Sequence, residues 1–404
     1  MFVPSARIWQ EMQCEPAGFW PVPINRGDEY AFLLKVPTHV IKAVYRSCPV
    51  TLSVATAATL VGRVIATVLS VADDPASPLS ISGVHRHQEE QLALTETLCL
   101  KQTLFVFFDE LSRPVARAHC VLDPVACSEA LVYLKGHDDW YVGPWISALA
   151  EVLDEVDTIV DPTHTVQAKH SPTLIPVCLT LSSFETTKIV ALGNVESRSF
   201  RLEDPEEGQG LEQTTWHLLV DLFGQNIFHS PQVTEGKVTR ELTDILTLCE
   251  AGLCFFEAKA VAVLSTQPER STERRAKNIQ KQIDKGVSQL LGGMRSVSSS
   301  LPLTSKAGLP IQLLDWVGPN RHSVIMVSEL YPGVDWNLVA KQLIEASKAA
   351  GAMLHVLDLQ ELRLLVGTSK APIALMAHLI RRFEIMANVG SAFIRSRLEG
   401  PPLL

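Results

Sequence analysis

The chain has 404 residues, 47% of them hydrophobic and 20% charged, with a formal net charge of -9. At roughly 100–200 residues per domain this length predicts two or three units, and the apolar fraction excludes a disordered chain. The acidic balance excludes a protein that coats nucleic acid through bulk charge, but not a nuclease whose contact surface is a local basic patch.

The eight cysteines, at 14, 48, 99, 120, 127, 178, 249 and 254, show no CxxC spacing and no four-ligand zinc pattern. Scattered in this way they read as small buried hydrophobes of a reducing compartment. The N-terminus MFVPSARIWQEMQCEP lacks a basic region followed by an apolar one, so no secretory signal is expected. The most membrane-like stretch, Thr51 to Ala72, carries Arg63 at its middle and is rich in β-branched residues, which suit paired strands. The expected location is cytoplasmic, with no membrane partner.

Residues 1–165 read as an α+β unit of unknown role. Strand-like runs cover Tyr30–Val36, Val61–Val71 and Thr103–Phe108, separated by turn clusters such as Asp73 to Pro78. The sequence His85-Arg86-His87, followed by Glu89, contains metal-ligand types, but no further ligands lie at a structural spacing, so an exposed polar turn is expected. Acidic helices follow, the clearest being WISALAEVLDEVDTIV. The polar stretch Asp161 to Thr173 marks the expected boundary, leaving 166–404 as a second unit.

In that second unit LEQTTWHLLVDLFG has helical spacing, with Glu212, Trp216, Leu219 and Phe223 on one face. A carboxylate on an apolar stripe is costly unless something pairs with it; Asp221 is the alternative helix carboxylate. Next, RELTDILTL, the turn Cys249-Glu250-Ala251-Gly252 and LCFFEAKAVAVL predict a β-hairpin. Period-two alternation puts Glu257 and Lys259 on one face of its second strand, and Asp244 with Leu242 and Leu246 on one face of its first. A long helix from Glu269 to Arg295 is expected to bury Ala276, Ile279, Ile283, Val287, Leu290 and Met294, with Arg275, Gln282 and Gln289 along one flank. It holds seven basic residues against three acidic ones. A solvated face and a phosphate track both account for that excess. Beyond the loop Ser296–Pro310, HSVIMVSEL, WNLVAKQLIEASKAAGA and MLHVLDL form a strand–helix–strand unit, and a final helix covers Pro372 to Asn388.

Two neighbouring carboxylates repel each other, and a divalent cation removes that repulsion. Oxygen ligands suit Mg²⁺ or Mn²⁺, which acidify bound water and polarise a phosphoryl oxygen, while an adjacent ammonium stabilises developing charge. Asp244, Glu257 and Lys259 therefore suit phosphodiester hydrolysis. No Walker A or dinucleotide fingerprint is present, and no serine or cysteine nucleophile motif.

Thr243-Asp244, twelve intervening residues, then Glu257-Ala258-Lys259 resembles the PD-(D/E)XK nuclease superfamily, with Thr243 standing where the name has Pro. The resemblance covers about residues 210–295 and extends in outline to 390. It implies an α/β restriction-endonuclease-like mixed sheet flanked by helices, with the N-terminal α+β domain as an addition. It implies metal ligation by Glu212, Asp244, Glu257 and the Ala258 carbonyl, with Lys259 as the catalytic lysine. Gln282 and Gln289 are the counterparts of a helix glutamine that reaches the active site in some branches. The implied cofactor is Mg²⁺ or Mn²⁺ and the implied partner is nucleic acid, DNA ahead of RNA. The N-terminal acidity points to a protein partner or a second copy of the chain. An inactive nuclease fold serving as a scaffold or interaction module is the alternative.

Overall fold

The computed structural model describes residues 4–72, 78–160, 168–192, 197–204, 207–260, 272–313 and 318–396. Residues 73–77 of the expected turn, 161–167 of the expected boundary, and Glu269 and Arg270 of the expected basic helix lie outside the described residues. The fold is mixed α/β, with two principal sheets.

The N-terminal part comprises α1 (Ala6–Cys14), β1 (Gly18–Ile24), β2 (Glu29–Lys35), α2 (Thr38–Tyr45), β3 (Val50–Thr59), β4 (Gly62–Val71), β5 (Leu79–Val84), α3 (Gln88–Leu100), β6 (Gln102–Phe108), β7 (Pro114–Leu122), α4 (Pro124–Lys135), α5 (Ser147–Val160) and β8 (Thr173–Thr186). Its eight strands form one sheet in the order β1-β2-β6-β7-β8-β3-β4-β5. The stretch Thr51 to Ala72 is a hairpin of β3 and β4, in which Arg63 opposes Ala58 next to the turn.

The boundary expected at residue 165 is corrected here. β8 is hydrogen-bonded antiparallel to both β7 and β3, so the N-terminal unit extends past it. Ile175, Val177 and Leu179 are buried in the core of that unit. The expected break cuts through this sheet because a polar connection is not the same thing as a domain limit.

The short strands β9 (Ile189–Leu192) and β10 (Ser197–Phe200) lead to α6 (Glu207–Phe223), β11 (Ile227–His229), β12 (Gln232–Glu235), β13 (Val238–Glu241), β14 (Ile245–Cys249), β15 (Gly252–Lys259), α7 (Thr272–Ser298), β16 (Leu303–Thr304), β17 (Asn320–Val327), α8 (Trp336–Ala350), β18 (Met353–Leu357), α9 (Leu359–Thr368) and α10 (Pro372–Val389). The second principal sheet has the order β11-β14-β15-β17-β18. β11, β14 and β15 are antiparallel, while β15, β17 and β18 are parallel. Parallel strands need crossovers, which α7 and α8 provide.

Both faces of this sheet are covered. Trp216, Leu219 and Phe223 of α6 pack on Ile245, Phe256 and Val324. On the other face Ile279, Ile283, Val287 and Leu290 of α7 pack on Leu246, Phe255 and Ile325. Each fully buried side chain of this size contributes about 1.5–3 kcal/mol relative to exposure. A strand buried on both sides can hold charge only near its ends, and Glu257 and Lys259 lie at the end of β15.

The two units meet through Glu329, which follows β17. Arg275 donates to it from Nε at 2.6 Å and from Nη2 at 2.7 Å, and His39 Nε2 of α2 lies 3.2 Å away. Burial alone would raise this carboxyl, but His39 and Arg275 hold it well below the usual carboxylate range. At the same junction Arg363 of α9 donates to the Gln13 carbonyl at 2.8 Å.

The β14–β15 turn depends on Gly252. Its φ is +154°, and an added Cβ would sit 1.9 Å from the Asn320 carbonyl oxygen, its partner on β17. Gly252→Ala is expected to destabilise by roughly 3 kcal/mol or more. Gly224→Ala, at φ +58° with open space around it, is the control. Denaturant midpoints measure both, and an equal loss in the two proteins would count against this role for Gly252.

Candidate active site

β13 ends at Glu241 and β14 begins at Ile245, so Asp244 lies just before its strand rather than within one long run. Ile245 pairs with Phe256, which sets Asp244 opposite Glu257 at the open end of the hairpin. Asp244 Oδ2 accepts from the Ala258 N–H at 2.6 Å, and the Asp244 carbonyl accepts from the Ser230 N–H at 2.7 Å. Lys259 Nζ donates to Glu257 Oε1 at 2.7 Å and to the Ala258 carbonyl at 3.2 Å. Thr243 donates its hydroxyl to the Phe256 carbonyl at 2.8 Å and to Glu257 Oε2 at 3.3 Å. Glu257 and Lys259 are buried and Asp244 is half-buried. Asp244, Glu257 and Lys259 thus come together at the open end of the hairpin, and Ala258, on the other face by alternation, meets Asp244 through its backbone N–H.

Glu212 of α6 approaches from a neighbouring element. Its Oε1 is in close contact with His229 Nε2 of β11. Asp221, the alternative helix carboxylate, is exposed. Of the two glutamines, Gln282 is half-buried and Gln289 exposed, and among the described residues neither hydrogen-bonds to the acidic cluster. Arg275, expected on the same flank, is engaged at the junction with Glu329.

His229 was not anticipated from the sequence. A lone histidine in a three-residue strand carries no motif, and its relevance appears only once β11 pairs with β14.

The electrostatics identify an unbalanced cluster. Burial, then the charges of Glu257 and Glu212, push the Asp244 carboxyl up to about 7, against the opposing Ala258 N–H and Lys259 ammonium. An all-oxygen donor set with excess negative charge fits a hard divalent cation. In the present arrangement Glu257 turns to Lys259, and the three carboxylates do not all lie within 4.8 Å of one another.

Among the described residues the group that does meet that spacing is Glu11, His87 and Glu90, in the N-terminal unit. This corrects the exposed turn expected at His85-Arg86-His87: His85 and Glu90 are buried, and His85 Nε2 lies 2.8 Å from Thr67 Oγ1. Arg7 Nη1 already stands between the two carboxylates, 2.6 Å from Glu90 Oε1 and 3.0 Å from Glu11 Oε1. The guanidinium supplies the positive charge there and ties α1 to α3. A cavity of about 680 Å³ at the junction of the units is lined in part by two ion pairs, Arg275 with Glu329 and Arg395 with Asp358.

Comparison with protein-family models, curated proteins and solved structures found no match for this chain.

The raised Asp244 carboxyl has a pH consequence. The folded protein keeps a proton that the unfolded chain loses near the ordinary value of 3.8, and releases it only as pH rises through about 7. Wild type in EDTA should therefore lose stability relative to Asp244→Asn as pH rises from about 4 to about 8, by on the order of a few kcal/mol. Thermal unfolding of both proteins across that range measures it. A stability difference independent of pH would contradict the charge crowding.

Proposed function

We propose that the chain is a metal-dependent nuclease of the PD-(D/E)XK type that hydrolyses phosphodiester bonds in DNA, in a cytoplasmic setting. The observation that carries the reading is the placing of Asp244 opposite Glu257, with Lys259 beside them and Glu212 near enough to raise the Asp244 carboxyl. Glu212, Asp244, Glu257 and the Ala258 carbonyl would hold Mg²⁺ or Mn²⁺. When bound, the cation supplies an acidified water and a polarised phosphoryl oxygen. The Lys259 ammonium orients the attacking water and offsets charge on the phosphoryl oxygens, and the Ala258 N–H fixes Asp244.

The exposed face of α7 supports an anionic substrate. Arg274, Lys277, Lys281, Lys285 and Arg295 are exposed along it, on a chain whose overall charge is -9. Such a track contacts phosphates without reading sequence. The N-terminal unit would select substrate or meet a protein partner or second copy. Leu92 and Leu100 of α3 and Val125, Val132 and Tyr133 of α4 form exposed apolar surface suited to that role. Among the described residues no helix is long and apolar enough to cross a membrane.

One observation favours a second reading, that of a non-catalytic nuclease-fold scaffold: the bond from Lys259 to Glu257 satisfies both groups without a cation. Activity separates the two. Linear, circular and single-stranded DNA and RNA are incubated with Mg²⁺, Mn²⁺ or EDTA. DNA cleavage is expected with either metal, absent in EDTA, and reduced roughly 10²-fold or more in Lys259→Ala and Asp244→Ala. Cleavage that persists in EDTA or survives both substitutions would overturn the mechanism, and no cleavage of any substrate by wild type would favour the scaffold.

A further inference from the structure

The residue pairing along β11 extends this site, and the role it gives to His229 rests on the nuclease reading. Ile227 and His229 lie on the same side of β11 by alternation, and Ile227 packs in the core beneath α6. His229 thereby reaches α6, where its Nε2 contacts Glu212 Oε1. A carboxylate can only accept, so Nε2 carries the proton in this contact. Ser230 Oγ lies 3.2 Å from His229 Nδ1 and can donate to it, which fixes the ring's orientation. The next residue's backbone acts on the main chain that carries the second carboxylate: the Ser230 N–H donates to the Asp244 backbone carbonyl at 2.7 Å. Of two consecutive residues at the end of β11, one therefore restrains a carboxylate directly, through its side chain, and the other holds the backbone of Asp244.

The consequence for Glu212 is directional. With Oε1 engaged by His229, rotation of the carboxylate is restrained. Oε2 makes no hydrogen bond among the described residues. His229 is 9% exposed at the side chain and Glu212 18%, so the contact is shielded from competing water. Outer partners of this kind orient a ligand and raise metal affinity without touching the ion.

We propose that His229 is a positioning residue that holds Glu212 for a divalent cation, and so sets the affinity of the site for Mn²⁺ or Mg²⁺. The test is Mn²⁺ binding by titration calorimetry and by the electron paramagnetic resonance signal of bound Mn²⁺. It uses wild type, Asp244→Ala, His229→Ala, His229→Gln and His229→Asn, all full-length. Mn²⁺ affinity is expected to fall about 10–100-fold in His229→Ala. Glutamine, whose amide N–H reaches the place of Nε2, should recover most of it, whereas asparagine should not. Where the alanine variant does not fold, the glutamine and asparagine proteins carry the comparison. Equal affinity in wild type and His229→Ala, or in the glutamine and asparagine proteins, overturns the role of His229 if Asp244→Ala has lost binding. Undiminished binding in Asp244→Ala overturns the metal site itself, and this inference with it.

Discussion

A charge that cannot leave its strand end organises the C-terminal unit. β15 is covered by α6 on one face and α7 on the other, so its ionisable residues fit only where the hairpin opens. There Glu257 and Asp244 face each other across β15 and β14, and Glu212 adds a third carboxylate. The surroundings restrain these groups through few contacts: the Ala258 N–H on Asp244, Lys259 and Thr243 on Glu257, and His229 on Glu212. Each contact comes from a strand of the sheet or, for Thr243, from the residues that lead into β14. The turn at Gly252 sets the register of the hairpin, and the parallel pairing with β17 keeps β15 from slipping.

The crossover that makes β17 parallel to β15 also couples the two units. α7 must run back across the sheet, and its first turns carry Arg275 to Glu329 just past β17, where His39 of the N-terminal unit joins them. The ion pair is half-buried and bidentate, and removing one partner leaves a partly desolvated charge uncompensated. The N-terminal unit is therefore fastened close to the carboxyl ends of β15 and β17. In open α/β sheets that is where ligands bind. Under the proposed function, a substrate would meet both units.

Local pattern made part of this legible. Alternation in LCFFEAK and the spacing in LEQTTWHLLVDLFG identified the hairpin, the helix and the grouping of Asp244, Glu257 and Lys259, because burial on one face is written into residues two or four apart. β8 carries a weaker signal: Ile175, Val177 and Leu179 are buried, but their neighbours are Leu174, Pro176, Cys178 and Thr180, so apolar and polar residues do not alternate there, and the polar segment before the strand reads as a boundary. His229 had no such signal. Its partner is Glu212 on another element, and only the antiparallel pairing of β11 with β14 brings it there. Contacts fixed by long-range strand order leave no periodicity to read.

Proximity of ligand types is a weaker guide to a cation site than the balance of charge around them. Glu11, His87 and Glu90 stand closer together than the carboxylates of the C-terminal cluster. Yet Glu90, whose burial alone would raise its carboxyl, is held below the ordinary value by His85 and Arg7. Asp244 shifts the other way, because burial and two neighbouring carboxylates outweigh the Ala258 N–H and the Lys259 ammonium. One cluster has its positive charge built in and gains little from an added ion. The other is under-compensated by the chain, and a divalent cation would lower its energy. The opposite shifts of Glu90 and Asp244 follow from that difference in compensation: His85 and Arg7 balance one cluster, while burial and two carboxylates leave the other short of positive charge.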